Sequence, residues 1–110
     1  MTKVSVYGKS KNEYTFYAKP VKSYMPTYSG IYVFLKKHFL KPSYDILYIG
    51  ETESFYKRVY IDLEQHNAWS CALRNGITHI AILTVSGTKQ LRLDIETDLR
   101  YFNNTICNLQ

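Results

Sequence analysis

The 110-residue chain is poor in the residues that would settle its class by themselves: two cysteines, three prolines, five glycines and one tryptophan. Cys71 and Cys107 form neither a disulfide framework nor a Cys-x-x-Cys metal pair, and the role expected of them is that of small buried hydrophobes. No apolar stretch approaches the ~18 residues of a membrane span, so no membrane partner is expected. Internal repeats are absent, and 45% hydrophobic with 21% charged residues excludes a disordered chain. The start, Met1-Thr2-Lys3-Val4-Ser5-Val6-Tyr7, alternates polar with apolar and has no apolar secretory core, which predicts a cytoplasmic protein. A chain of this size builds a single hydrophobic core.

Acidic residues are also in short supply. Nine Asp and Glu face fourteen Lys and Arg, for a net charge of +5, and the imbalance lies in the first half of the chain. Residues 1–29 hold five Lys and one Glu, residues 30–60 five positive and three negative groups, and residues 61–110 four positive and five negative. A polyanionic partner is favoured, although an ordinary solvated basic surface has the same signature. Tyrosine is in excess, with eleven copies, most of them before residue 61. It suits half-buried strands and also stacks on bases, so only its position can decide its use.

Lys3 to Tyr7 and Tyr14 to Tyr17 read as a basic hairpin around the turn-rich Gly8-Lys9-Ser10-Lys11-Asn12, followed by a connection from Ala18 to Ser29 that contains Pro20 and Pro26. Gly30 to Leu35 and Ile46 to Gly50 are β-prone and predict an antiparallel hairpin. Setting Tyr32 opposite Tyr48 places Gly30 opposite Gly50 and Ile31 opposite Ile49. Ile31, Val33, Leu35, Leu47 and Ile49 then share a core face, and the tyrosines and glycines form a shallow polar shelf on the other. Thr52 or Ser54 can cap a helix with Phe55, Val59 and Leu63 on one stripe, and a second helix runs from His66 to Arg74 until Asn75-Gly76 stops it. Thr78 to Val85 is a strand buried on both faces. Thr88 caps a last helix with Leu91, Ile95, Leu99 and Phe102 as its core stripe and Glu96 beside it.

Gly30-Ile31-Tyr32 and, sixteen residues on, Tyr48-Ile49-Gly50 resemble the signature of the GIY-YIG nuclease superfamily letter for letter. Arg58 in the following helix, Glu96 in the last helix and the closing Asn108 match its further motif positions, so the resemblance covers Gly30 to Asn108. The histidine that many members carry one helical turn after the arginine is here Asp62, and His66 stands next in line. The resemblance implies an α/β (α+β) fold in which a three-stranded, mainly antiparallel sheet is flanked by helices, with residues 1–29 as an added N-terminal β-hairpin on a domain of residues 30–110. It also implies a DNA endonuclease that leaves 5′-phosphate and 3′-hydroxyl ends with one Mg²⁺ or Mn²⁺ ion on Glu96.

Phosphodiester hydrolysis needs an activated water, stabilised phosphoryl oxygens and help for the leaving oxygen. Tyr48 is the favoured general base with Tyr32 as its partner, and Arg58 is suited to the phosphate. His66 is either a proton carrier or a structural histidine. Gly30, Gly50, Lys57 and Asn108 would line the substrate, and Lys9, Lys11, Lys19 and Lys22 would extend the contact to DNA. A monomer or a homodimer is compatible with this. The competing expectation is a nucleic-acid-binding or regulatory protein with this fold and little or no catalytic activity.

Overall fold

The computed structural model describes residues 2–109, apart from the side chain of Leu109. Five strands, β1 (Thr2–Tyr7), β2 (Glu13–Pro20), β3 (Gly30–Lys37), β4 (Tyr44–Thr52) and β5 (His79–Thr84), form one antiparallel sheet in the order β1-β2-β5-β3-β4. The expected three strands are therefore five. β2 continues through Ala18 to Pro20 and pairs with β5, so the N-terminal hairpin widens the sheet and the connection begins only after Pro20. Pro20 sits at a strand end, where its missing N–H costs least.

The single core expected from the chain's size is in fact two, one on each face of the sheet, because strands covered on both sides bury both of their alternating faces. On one face Val6, Phe16, Ala18, Ile31, Val33, Leu35, Ile49 and Ala81 pack under α2 (Lys89–Phe102) through Leu99. On the other, Tyr32, Phe34, Leu47, Ile80 and Ile82 meet Phe55, Val59, Leu63, Trp69 and Ala72 of the segment after β4. That segment is not a continuous helix. After the turn at Phe55 it has a π-helical turn at Lys57–Ile61, a 3₁₀ turn at Leu63–Gln65 and the short helix α1 (Trp69–Arg74). Ser54 caps its start, its Oγ accepting the Lys57 N–H at 3.2 Å. Gly76, with a φ of +79°, ends α1. Thr88 caps α2 by accepting the Leu91 N–H.

Three local expectations are corrected. The β3–β4 register is shifted by two residues, so Tyr32 lies opposite Gly50 and Phe34 opposite Tyr48. A two-residue shift preserves the facing of Ile31, Val33 and Ile49, which is why the pattern alone does not reveal it. A bulge then turns Leu47 to the Tyr32 face, because Phe34 pairs with Tyr48 and Leu35 already with Ile46. In α2, Leu91 and Phe102 are exposed, and Arg92, only 4% exposed, is buried in their place.

Cys71 and Cys107 are joined in a disulfide, with Cα atoms 5.7 Å apart, which corrects their reading as separate hydrophobes. The bridge ties α1 to a C-terminal 3₁₀ turn, Ile106–Leu109. Disulfides persist mainly in oxidising compartments, so the cysteines give the cytoplasmic expectation no support. Among the described residues no helix is long and apolar enough to cross a membrane.

Candidate functional site

The face of β3 and β4 beneath the helical segment gathers four of the residues singled out from the sequence: Tyr32, Tyr48, His66 and Arg58. Tyr32 is 1% exposed, so the expected polar shelf is a filled aromatic site. Its ring lies 6.0 Å from that of Tyr48, and the His66 ring stands edge-on to both, at 5.6 Å from Tyr32 and 4.9 Å from Tyr48.

The two glycines explain how such rings fit between strands. A Cβ on Gly50 would lie 2.6 Å from the Tyr32 hydroxyl and 2.8 Å from the Tyr48 ring. On Gly30 it would strike the Leu83 carbonyl and come within 2.7 Å of Phe55. The space expected to admit a ligand is thus taken up by the protein's own side chains and backbone. Gly50→Ala is expected to cost about 2 kcal/mol by overpacking, read as a lower urea midpoint, and to displace the Tyr32–His66 pair, read as a shift of the His66 ring signals in the NMR spectrum.

His66 is fixed at both nitrogens. Nδ1 accepts the Ala68 backbone N–H at 2.9 Å, so the neutral imidazole carries its proton on Nε2, which donates to the Tyr32 hydroxyl oxygen at 2.6 Å. Burial, with the Arg58 charge adding to it, pushes His66 down to about 4, so the ring is neutral at physiological pH. Burial also drives Tyr32 well above the ordinary phenol range. The neighbouring Tyr48 adds to that rise and Arg58 opposes it. Tyr32 therefore keeps its proton. Because its oxygen accepts from His66, that proton is directed to another neighbour.

Arg58 is half-buried and donates from Nη2 to Asn67 Oδ1 at 2.8 Å. With Glu51, Ser54, Lys57 and Asp62 it lines an open cleft of about 490 Å³. Lys57 is exposed there. Asp62, four residues after Arg58, faces the cleft while His66 turns inward to Tyr32.

Glu96 lies on α2, across the sheet from Tyr32. Burial raises its carboxyl above the usual range, Arg100 at 3.8 Å partly offsets this, and the Glu51 charge adds to it. Glu51 is the link between the two faces. It lines the Arg58 cleft, while its carboxylate is held by the Arg92 Nε at 3.0 Å in a largely buried ion pair. Glu51 and Arg92 are missed by sequence reasoning. The signal is nonetheless there, because Arg92, Glu96 and Leu99 fall on one helical stripe, and a charge on a buried stripe demands a partner.

Asn108, expected to orient the site and line the substrate, has its amide engaged by the fold. Oδ1 accepts the Ile49 N–H at 2.8 Å and the Thr105 hydroxyl at 2.6 Å, while Nδ2 donates to the Ile49 carbonyl at 2.9 Å. It holds β4 beside Tyr48 as a positioning residue. The four lysines also divide. Lys9 and Lys11 sit in the β1–β2 turn, which is docked on α2 through Asp98, with the Lys9 ammonium 5.4 Å from the Tyr101 ring. Lys19 and Lys22 lie at the other end of β2, where Lys19 donates to the Tyr24 carbonyl and Lys22 lies 4.0 Å from Glu64. The rise of an eight-residue strand separates the two pairs by roughly 25 Å, so they do not form one patch.

His38 pairs with Asp45 and His79 with Thr78, and among the described residues no three His, Cys, Asp or Glu side chains gather as a metal cluster. No family model matches the chain, and no curated protein or solved structure shows significant similarity to it.

Proposed function

We propose that the chain is a GIY-YIG-type, metal-dependent DNA endonuclease. The observation that carries this reading is the fixed sequence of donors Ala68 N–H to His66 and His66 to Tyr32, with Tyr48 and Arg58 alongside. With its oxygen occupied by His66, Tyr32 has its own proton left for a neighbouring oxygen; turned to Tyr48 once that phenol has released its proton to solvent, it would stabilise the phenolate, the form that takes a proton from water. Tyr32 is a positioning residue here, since its burial keeps it neutral. Arg58, braced by Asn67 at the cleft, supplies a planar cation for phosphoryl oxygens.

A divalent cation fits Glu96 chemically. The carboxylate is partly desolvated and a side chain supplying one carboxylate with waters is an ordinary Mg²⁺ arrangement, while the Glu51 charge beside it is paired with Arg92 and the Arg100 guanidinium at 3.8 Å would have to give way to the cation. Bound there, Mg²⁺ or Mn²⁺ would supply charge stabilisation for a departing oxygen only on a phosphate that reaches round the border strand β4, where Glu51 joins the Glu96 side to the Arg58 cleft. The test is supercoiled plasmid incubated with and without Mg²⁺. Nicked or linear product should need the metal and fall by about a hundredfold or more in Tyr48→Phe and Glu96→Gln. Full activity in Tyr48→Phe removes the assigned base.

The separation of Glu96 from the tyrosines across the sheet favours one alternative, a nucleic-acid-binding protein of this fold without hydrolysis. DNA binding by the wild type with no cleavage under any divalent metal would select it.

A further inference from the structure

Phe39 is 98% exposed and Leu40 87%, the two most exposed large apolar side chains in the described residues. They are adjacent and form the tip of the β3–β4 hairpin, which is closed behind them by the His38 N–H donating to the Ser43 carbonyl at 3.0 Å. Beside the tip stand the exposed Lys37 and Lys41, with the exposed Lys36 a residue further back, its side chain running alongside Gly76. The nearby acid, Asp45, hydrogen-bonds to His38 at 2.9 Å, and its single negative charge is outnumbered by the three ammonium groups, so the collar is cationic. An apolar pair held clear of its own core and ringed by ammonium groups suits an apolar medium lying beneath a phosphate surface.

We infer that Phe39 and Leu40 are a wedge that enters the base stack of duplex DNA while Lys36, Lys37 and Lys41 hold the flanking phosphates. This rests on the endonuclease reading, which it extends to a substrate class: duplexes that are kinked or easily unstacked. DNA is favoured over a lipid surface because β3 and β4, which carry Tyr32 and Tyr48, also carry the tip. Seven residues of strand and turn set Phe39 at most roughly 23 Å from Tyr32. Along B-DNA that is about seven base pairs. Apolar side chains inserted at a base step unstack it and bend the duplex.

The test uses the full chain, without divalent metal, and a short duplex carrying 2-aminopurine, whose emission rises when it is unstacked. The variant is Phe39→Ser with Leu40→Ser, which changes only exposed side chains and should leave the urea midpoint unmoved. Wild type should raise the emission and the variant should not, with affinity about tenfold weaker by fluorescence anisotropy. Replacing Lys36, Lys37 and Lys41 by Gln should lower the salt slope by about 0.9 per lysine. Equal emission and affinity in wild type and tip variant overturn the wedge. So does tip-dependent co-sedimentation with phosphatidylserine vesicles when duplex affinity does not depend on the tip, since the tip is then a lipid anchor. If wild type cuts plasmid but the tip leaves emission unchanged, the wedge fails and the nuclease stands. Tip-dependent emission with no cutting by wild type retires the nuclease and keeps the wedge.

Discussion

Reduction of the Cys71–Cys107 bridge is expected to lower stability by about 4 kcal/mol. The two residues are 36 apart in sequence, and the chain-entropy cost of closing a loop of that length, which the cross-link removes, gives this size. Both cysteines are buried, Cys107 at 0% and Cys71 at 3% exposure, so reduction should follow opening of the C-terminal turn rather than precede it. The effect should extend to the candidate site. Cys107 adjoins Asn108, whose amide grips Ile49 next to Tyr48. Urea unfolding with and without dithiothreitol measures the cost, and Cys71→Ala with Cys107→Ala should reproduce it without reductant. Unchanged midpoints would mean that the bridge contributes nothing to the folded state.

Acidification should unfold the protein through His66. Its pKa falls from the ordinary 6.5 to about 4 on folding, so between these values the unfolded chain binds the proton that the folded ring refuses. Stability from this source is complete above about pH 6.5 and is lost as pH falls towards 4, by about 3 kcal/mol in total. The structural cause is specific. A second proton must go on Nδ1, where the Ala68 N–H already points, and donor would then meet donor. Asp98, held below the usual carboxylate range chiefly by its Ser10 hydrogen bond, acts in the same direction, but it is only half-buried and partly screened. Glu96, raised by burial, acts in the opposite direction. Urea unfolding at pH 7 and pH 4.5 at constant ionic strength tests this, with His66→Gln expected to lose most of the difference. An equal acid loss in His66→Gln would assign the effect elsewhere.

The disulfide and His66 also mark how far the amino-acid order can be read. The strands, the caps at Ser54 and Thr88 and the stop at Asn75-Gly76 are legible because each rests on local chemistry, such as a side-chain oxygen before a helix or a glycine after one. Tyr32, Tyr48, Arg58 and His66 are legible as site candidates through the two tripeptides and the helical stretch after the second. What escapes is long-range. A 36-residue cysteine spacing has no motif, and the register shift preserves every face that alternation can detect. Nothing in the order of Lys9, Lys11, Lys19 and Lys22 says that β2 sets them at opposite ends. Glycine marks a close approach without naming the occupant, since a missing side chain says only that something comes near. At Gly50 it is Tyr32, two residues from where the expected pairing puts it.

Asn108 has a bearing on assembly as well. A border strand left bare invites another chain to join by backbone pairing. On β4 the Asn108 amide already occupies the outward N–H and carbonyl of Ile49, so that margin is sealed at its middle. A homodimer formed by sheet continuation must therefore use β1, at the far side of the molecule from the tyrosine pair, and would leave the cleft at Arg58 open in both copies.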